Sequence, residues 1–197
     1  MSERRAVRER VTRETRVTVR LDLDGTGTAR IRTGIGFYDH LLTSLATHSL
    51  IDLEVEAGGD LEVDDHHTVE DVALVLGDAF AAALGDRAGI GRFGEAVVPM
   101  DEALARCALD CSGRPYAVLE IAFRGERIGE LSTQLIEHAL ESFARTAGIT
   151  LHLSASGRND HHVAEAAFKA LARSLRRAVE PDARRAGAVP SSKGSLG

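Results

Sequence analysis

The sequence predicts an α+β fold: two duplicated β-β-α-β-α units, their helices packed together between two small mixed sheets. Three observations lead there. The segment Asp65-His66-His67-Thr68-Val69-Glu70 returns as Asp160-His161-His162-Val163-Ala164-Glu165. Aligning the two copies sets Asp39-His40-Leu41-Leu42 near Glu137-His138-Ala139-Leu140, and Ile51-Asp52-Leu53-Glu54-Val55 near Ile149-Thr150-Leu151-His152-Leu153. Each half also shows the same succession of hydrophobic periods.

In the first half, Arg16 to Leu23 alternates polar and apolar residues, as a half-buried strand does. The turn Asp24-Gly25-Thr26-Gly27 leads into a second strand near Ala29 to Thr33, which predicts a hairpin. Phe37, Tyr38, Leu41, Leu42 and Leu45 then fall at helical spacing, a short strand follows, and a helix runs from about His66 to Leu84. The second half repeats this order. Ala105 to Cys111, the turn Ser112-Gly113-Arg114-Pro115 and Tyr116 to Phe123 form the expected hairpin. Leu135, Ile136, Ala139, Leu140 and Phe143 mark a helix, and the last helix extends from about His161 to Val179. The glycine-rich stretch Gly85 to Gly94 joins the halves. The expected division is a flexible N-terminal segment (1–9), a first repeat (10–94), a second repeat (95–185) and a C-terminal substrate-binding tail (186–197).

A chain of 197 residues that is 44% hydrophobic can bury a substantial core. Tryptophan is absent and aromatic residues make up 4%, so that core rests on Ala, Val, Leu and Ile. A net charge of -6 gives no reason to expect nucleic acid or an anionic membrane as partner. No apolar run approaches the roughly 20 residues of a spanning helix. The Arg-rich start lacks the apolar stretch of a signal peptide, so the expected compartment is the cytoplasm. Cys107 and Cys111 read as two buried thiols on one strand rather than a disulfide or metal pair.

The repeated motif carries the chemistry. On a helix the first His and the Glu, four residues apart, share a face and can bind one metal ion, while the second His points elsewhere. Two copies therefore predict a dinuclear centre. A single histidine on a helix is more often a satisfied core or surface residue. Two adjacent imidazoles are costly to bury unpaired, however, and the same arrangement in both halves favours metal ligation. Asp65 and Asp160 read as helix caps in preference to partners of a ligand ring. His40 and His138, at matching places on the preceding helices, complete the ligand set. Pseudosymmetry then groups His161, Glu165, His67 and His40 on one metal, and His66, Glu70, His162 and His138 on the other. His152 reads as structural, and His48 is open to either reading.

Arg92 and Arg114 sit at turns, where a guanidinium can clamp a phosphate or carboxylate, although most such arginines are solvated surface. The tail Pro190-Ser191-Ser192-Lys193-Gly194 offers hydroxyls, a cation and glycine flexibility. Arg173, Arg176, Arg177, Arg184 and Arg185 read as a charged helix face and its continuation.

Several of these segments together resemble the imidazoleglycerol-phosphate dehydratase family. They are Gly36-Phe37-Tyr38-Asp39-His40 with His48, Asp64 to Asp71, Asn159-Asp160-His161-His162 with Glu165 and Phe168-Lys169-Ala170, and the tail Pro190 to Gly194. The resemblance spans about Arg10 to Leu196. It implies the fold of the second domain of ribosomal protein S5 and a hydro-lyase of histidine biosynthesis, converting imidazole glycerol phosphate to imidazole acetol phosphate and water. It further implies two manganese ions per active site and a homo-oligomer, a cage of twenty-four chains with sites at subunit contacts. By the same resemblance the metal ligands are His40, His66, His67, Glu70, His138, His161, His162 and Glu165. Arg92, Arg114, Lys169, Ser191, Ser192 and Lys193 would hold the substrate phosphate, and Glu14 and His48 would also contact substrate.

The expected chemistry holds the substrate ring as an imidazolate between two cations and expels the side-chain hydroxyl through a diazafulvene-like intermediate. Glu14 is the candidate acid/base, with Glu70 and Glu165 as competitors. Two alternatives use similar ligands. A dinuclear metallohydrolase is disfavoured by the absence of H-E-x-x-H and C-x-x-C, and a ferritin-like storage cage by its Glu-x-x-His order on a strandless bundle.

Overall fold

The computed structural model describes residues 4–185 and 187–196. The first repeat comprises β1 (Arg5–Val11), β2 (Thr15–Asp22), β3 (Ala29–Arg32), α1 (Gly36–Ser49), β4 (Asp52–Gly59) and α2 (His66–Leu84). The second comprises β5 (Phe93–Met100), β6 (Ala103–Asp110), β7 (Tyr116–Ile121), a small hairpin of β8 (Arg127–Ile128) and β9 (Leu131–Ser132), α3 (Thr133–Ala147), β10 (Thr150–Ser156) and α4 (Asp160–Val179). The repeat unit is thus β-β-β-α-β-α, one strand longer at its start than expected. Arg5 to Glu9, expected to be flexible, instead pair with β2 as part of β1; residues 1–3 of that expected segment lie outside the described residues.

The two sheets have matching strand orders, β1-β2-β4-β3 and β5-β6-β10-β7. In each, the first three strands are antiparallel and the last runs parallel to its neighbour. The predicted hairpins β2–β3 and β6–β7 do not form. A later strand of the same repeat, β4 or β10, takes the place between them. The true hairpins are β1–β2 and β5–β6, closed by tight connections at Thr12-Arg13-Glu14 and Asp101-Glu102. Local alternation identifies a strand but is silent about which strand lies beside it.

Alternation does set which face is buried. Val17, Val19 and Leu21 of β2, and Ala103, Ala105, Cys107 and Leu109 of β6, point inward. Both cysteines are buried free thiols, and burial pushes Cys107 up to about 11 and Cys111 to about 12. The helices form the middle of the molecule. α2 lies on the first sheet and α4 on the second, and across the midline α2 packs on α3 and α1 on α4. Alanines 164, 166, 167, 170, 172 and 178 of α4 are all buried, and small side chains permit close approach. The Phe80 and Phe143 rings meet edge to face, centroids 5.8 Å apart, between α2 and α3. Among the described residues no helix is long and apolar enough to cross a membrane.

Two glycines let elements approach a helix backbone closely. A Cβ at Gly77 of α2 would come within 2.6 Å of the Phe143 carbonyl oxygen on α3. One at Gly94 of β5 would meet the backbone of Ser174 and lie 3.1 Å from Ala178 N on α4. Backbone cannot swing aside as a side chain can, so Gly94→Val is expected to cost about 3 kcal/mol. A thermal or urea unfolding midpoint equal to that of the unsubstituted protein would refute this packing.

Candidate metal centre

Helix packing across the midline assembles two ligand triads, each with residues from both repeats. His161 and Glu165, one turn apart on α4, meet His40 of α1; His66 and Glu70 of α2 meet His138 of α3. In the first triad a single Glu165 oxygen lies 3.1 Å from His40 Nε2 and 3.2 Å from His161 Nε2. The ring of Phe37 packs against both imidazoles, with centroids at 5.9 and 4.9 Å. In the second triad Glu70 lies 3.7 Å from His66 Nε2 and 3.5 Å from His138 Nε2. His138 Nε2 is buried and, among the described residues, has no hydrogen-bond partner.

A buried ring nitrogen without a partner is costly unless something absent from the protein binds it. Two imidazoles and a carboxylate converging on one point suit a divalent transition ion, so the donor set fits a metal. The triads differ in their cationic neighbours. Lys169 Nζ lies 2.7 Å from the second oxygen of Glu165. Burial opposes charge on that carboxyl, yet the Lys169 ammonium and His40 together hold it down at about 2. Beside Glu70 the cation is the more exposed Arg145, at 3.7 Å.

Neither His67 nor His162 joins the triad with which the sequence grouped it. Consecutive residues on a helix diverge by about 100°, and both rings are engaged elsewhere. His67 Nδ1 lies 3.0 Å from Asp60, and His162 Nδ1 lies 2.9 Å from Glu102. These hydrogen bonds raise both imidazoles above their ordinary value, and the His162 bond, with backbone N–H groups, holds Glu102 down at about 2. Asp60 and Glu102 went unread in the sequence. Glu102 is sixty residues from its histidine, and no local period connects them.

Asp65 and Asp160 neither cap their own helices nor accept from a ligand ring. Asp65 accepts from Ser132 N at 2.6 Å and from its hydroxyl at 3.1 Å, and Asp160 accepts from Gly125 N at 2.7 Å. Both therefore pin the segment around β8 and β9. The first-turn contacts expected of them come from one residue earlier: Asp64 accepts from His66 N and Asn159 from His161 N. The acidic run hid this shift of one, because neighbouring Asp and Asn residues are equally suited to capping.

The predicted substrate contacts fall into two groups. Glu14, in the β1–β2 turn, lies 3.9 Å from His67 Nε2, and Lys169 is at the Glu165 triad. His48, on the last turn of α1, is lowered by burial and then by the charges of Lys169 and Arg173. His152 sits on the exposed face of β10, paired across to Ala108 and Val118. The second group lies at the other end. Arg92 grips Asp110 through Nε and Nη2 at 2.7 and 2.9 Å, and its Nη1 donates to the Pro190 carbonyl at 2.8 Å. Arg114 is 3.8 Å from the same Asp110, and Ser191 to Gly194 form a turn beside Pro190. This group adjoins Phe93, the start of β5, whereas Glu102 and His162 lie past its far end; the steps between the strand's eight residues, about 3.3 Å apiece, separate its ends by roughly 23 Å.

The chain matches the family model described as imidazoleglycerol-phosphate dehydratase over residues 33–175. It is 56% identical to the imidazoleglycerol-phosphate dehydratase of Gluconacetobacter diazotrophicus, over 98% of each chain. Identity to that of Methanothermobacter thermautotrophicus is also 56%, again over 98% of each. The crystal structure of the Staphylococcus aureus enzyme superposes with a TM-score of 0.82 at 34% identity, covering 90% of this chain and 99% of that one. That of the Pyrococcus furiosus enzyme gives a TM-score of 0.82 at 33% identity, covering 96% and 100%. Near-complete coverage in both directions, with the fold reproduced, shows that the chain belongs to the imidazoleglycerol-phosphate dehydratase family and is a carbon–oxygen hydro-lyase.

Proposed function

We propose that the chain dehydrates imidazole glycerol phosphate to imidazole acetol phosphate in histidine biosynthesis, at composite sites formed where copies of the chain meet, each site holding two manganese ions. The observation that carries the composite site is the separation within one chain. The Arg92, Arg114 and tail group lies roughly 23 Å along β5 from the end that carries Glu102 and His162. That is too far for one small substrate to touch both, so phosphate and imidazole ends meet residues of different chains. The same arrangement supplies the missing fourth ligands. His67 and His162, outside the triads of their own chain, would complete those of a neighbour.

Each residue then has a task. Arg92 and Arg114, with Ser191, Ser192 and Lys193, hold the phosphate from one chain, joined by Lys169 of the chain whose triad faces them, and Asp110 fixes the orientation of the Arg92 guanidinium. The eight residues His40, His66, His67, Glu70, His138, His161, His162 and Glu165 would hold the metals, which when bound would supply positive charge against an anionic substrate ring. Ring electrons expel the hydroxyl from the adjacent carbon through a diazafulvene-like intermediate, and the leaving oxygen takes a proton to become water. Loss of the proton from the next carbon gives an enol, which ketonises to the product. Glu14 would move these protons, a role supported by its position 3.9 Å from His67 Nε2, with Glu70 and Glu165 as the competing carboxylates.

Metal-stripped protein is expected to form no imidazole acetol phosphate in an ultraviolet assay and to regain turnover with manganese; metal-independent turnover would sink the proposal, and release of inorganic phosphate would indicate a hydrolase instead. Glu14→Gln should abolish turnover while metal content stays at the unsubstituted level, and substantial residual activity removes Glu14 from proton transfer. Composite sites have their own signature. Arg92→Ala and His67→Ala proteins, each inactive alone, should recover part of the activity when dissociated, mixed and reassembled, whereas a site within one chain predicts no recovery.

A further inference from the structure

The carboxylates that hold His67 and His162 do not correspond to one another in the duplication. The two histidines occupy equivalent places in the repeats, yet Asp60 precedes its histidine by seven residues and Glu102 by sixty. Asp60 directly follows β4, where the second repeat, directly after β10, has Gly157. Glu102 sits in the β5–β6 turn, and the matching β1–β2 turn carries Glu14, which is 3.9 Å from Nε2 of its histidine and not at Nδ1. Two unrelated positions thus deliver the same chemical group to the same ring atom. A contact that only packed the loop would have no reason to recur in that form. The common factor is the ring.

Resting on the metal reading above, we infer that Asp60 and Glu102 are positioning residues of the metal centres, each fixing the N–H of its imidazole at Nδ1 so that Nε2 is presented as a ligand to the triad of another copy. A neutral imidazole carries one N–H, so a carboxylate at Nδ1 settles the tautomer and leaves the lone pair on Nε2. The carboxylate also raises the basicity of Nε2 and restrains rotation of a ring that is only partly covered. Glu102 is itself anchored, one oxygen accepting from Arg158 N at 3.0 Å and Asn159 N at 2.7 Å while the other takes His162. It therefore couples the start of α4 to the orientation of the ring.

The test is manganese affinity of the intact assembly, read from free manganese by electron paramagnetic resonance, for Asp60→Ala, Asp60→Asn and Glu102→Gln. The last keeps an amide oxygen for the two backbone donors. Each is expected to weaken binding about 10- to 100-fold, Asp60→Asn less than Asp60→Ala, with the metal-free unfolding temperature unchanged. Unaltered affinity with a lowered metal-free unfolding temperature would show a purely structural role and overturn the inference. Failure of the unsubstituted protein to take up manganese would overturn the metal reading itself, and the inference with it.

Discussion

Crosswise packing of the helices, α1 on α4 and α2 on α3, is the constraint on which the candidate site depends. Each repeat lays its own two helices on its own sheet, and burial of the remaining apolar faces forces the two pairs together. A ligand pair one turn apart on α4 or α2 then meets a single histidine from the opposite repeat. Among the described residues, neither repeat alone brings three candidate ligands to one place. Glycine at positions 77 and 94 and the alanines of α4 bring the layers close enough for the rings to converge.

The electrostatics of the two triads show how far the duplication has drifted. The candidate donor atoms are alike, but Glu165 is nearly buried beside Lys169, whereas Glu70 is more open and faces Arg145. A cation tight against a ligand carboxylate keeps it charged and in place, and also competes with any metal for it. Lys169 has Leu74 at its place in the first repeat, so this feature belongs to one half only. The segment around β8 and β9 is a second asymmetry. It is held by Asp65 from one motif and Asp160 from the other, and so ties the starts of α2 and α4 to one piece of chain.

Much of this was legible in the sequence because it rests on short-range periods. The helices of the motif, expected from about His66 to Leu84 and His161 to Val179, are His66–Leu84 and Asp160–Val179. His40 and His138 were reached through the duplication, and both stand in the triads. The hairpins were misread because alternation in β2 and β3 is equally satisfied whether the strands are paired or separated by β4. The caps were misplaced by one residue because Asp64 and Asp65 offer the same side chain to the same helix end.

By itself the sequence determined which residues share a helix face, that the unit occurs twice, and that His-Glu pairs one turn apart come in matched copies. Those are consequences of backbone geometry over a few residues. Only the tertiary structure decided which strand lies between which, that His67 and His162 turn away to Asp60 and Glu102, and that the arginine and tail group lies at the start of β5, away from Glu102 and His162. Such relations join residues tens of positions apart, and they are set by which surfaces must be buried against each other rather than by any local spacing.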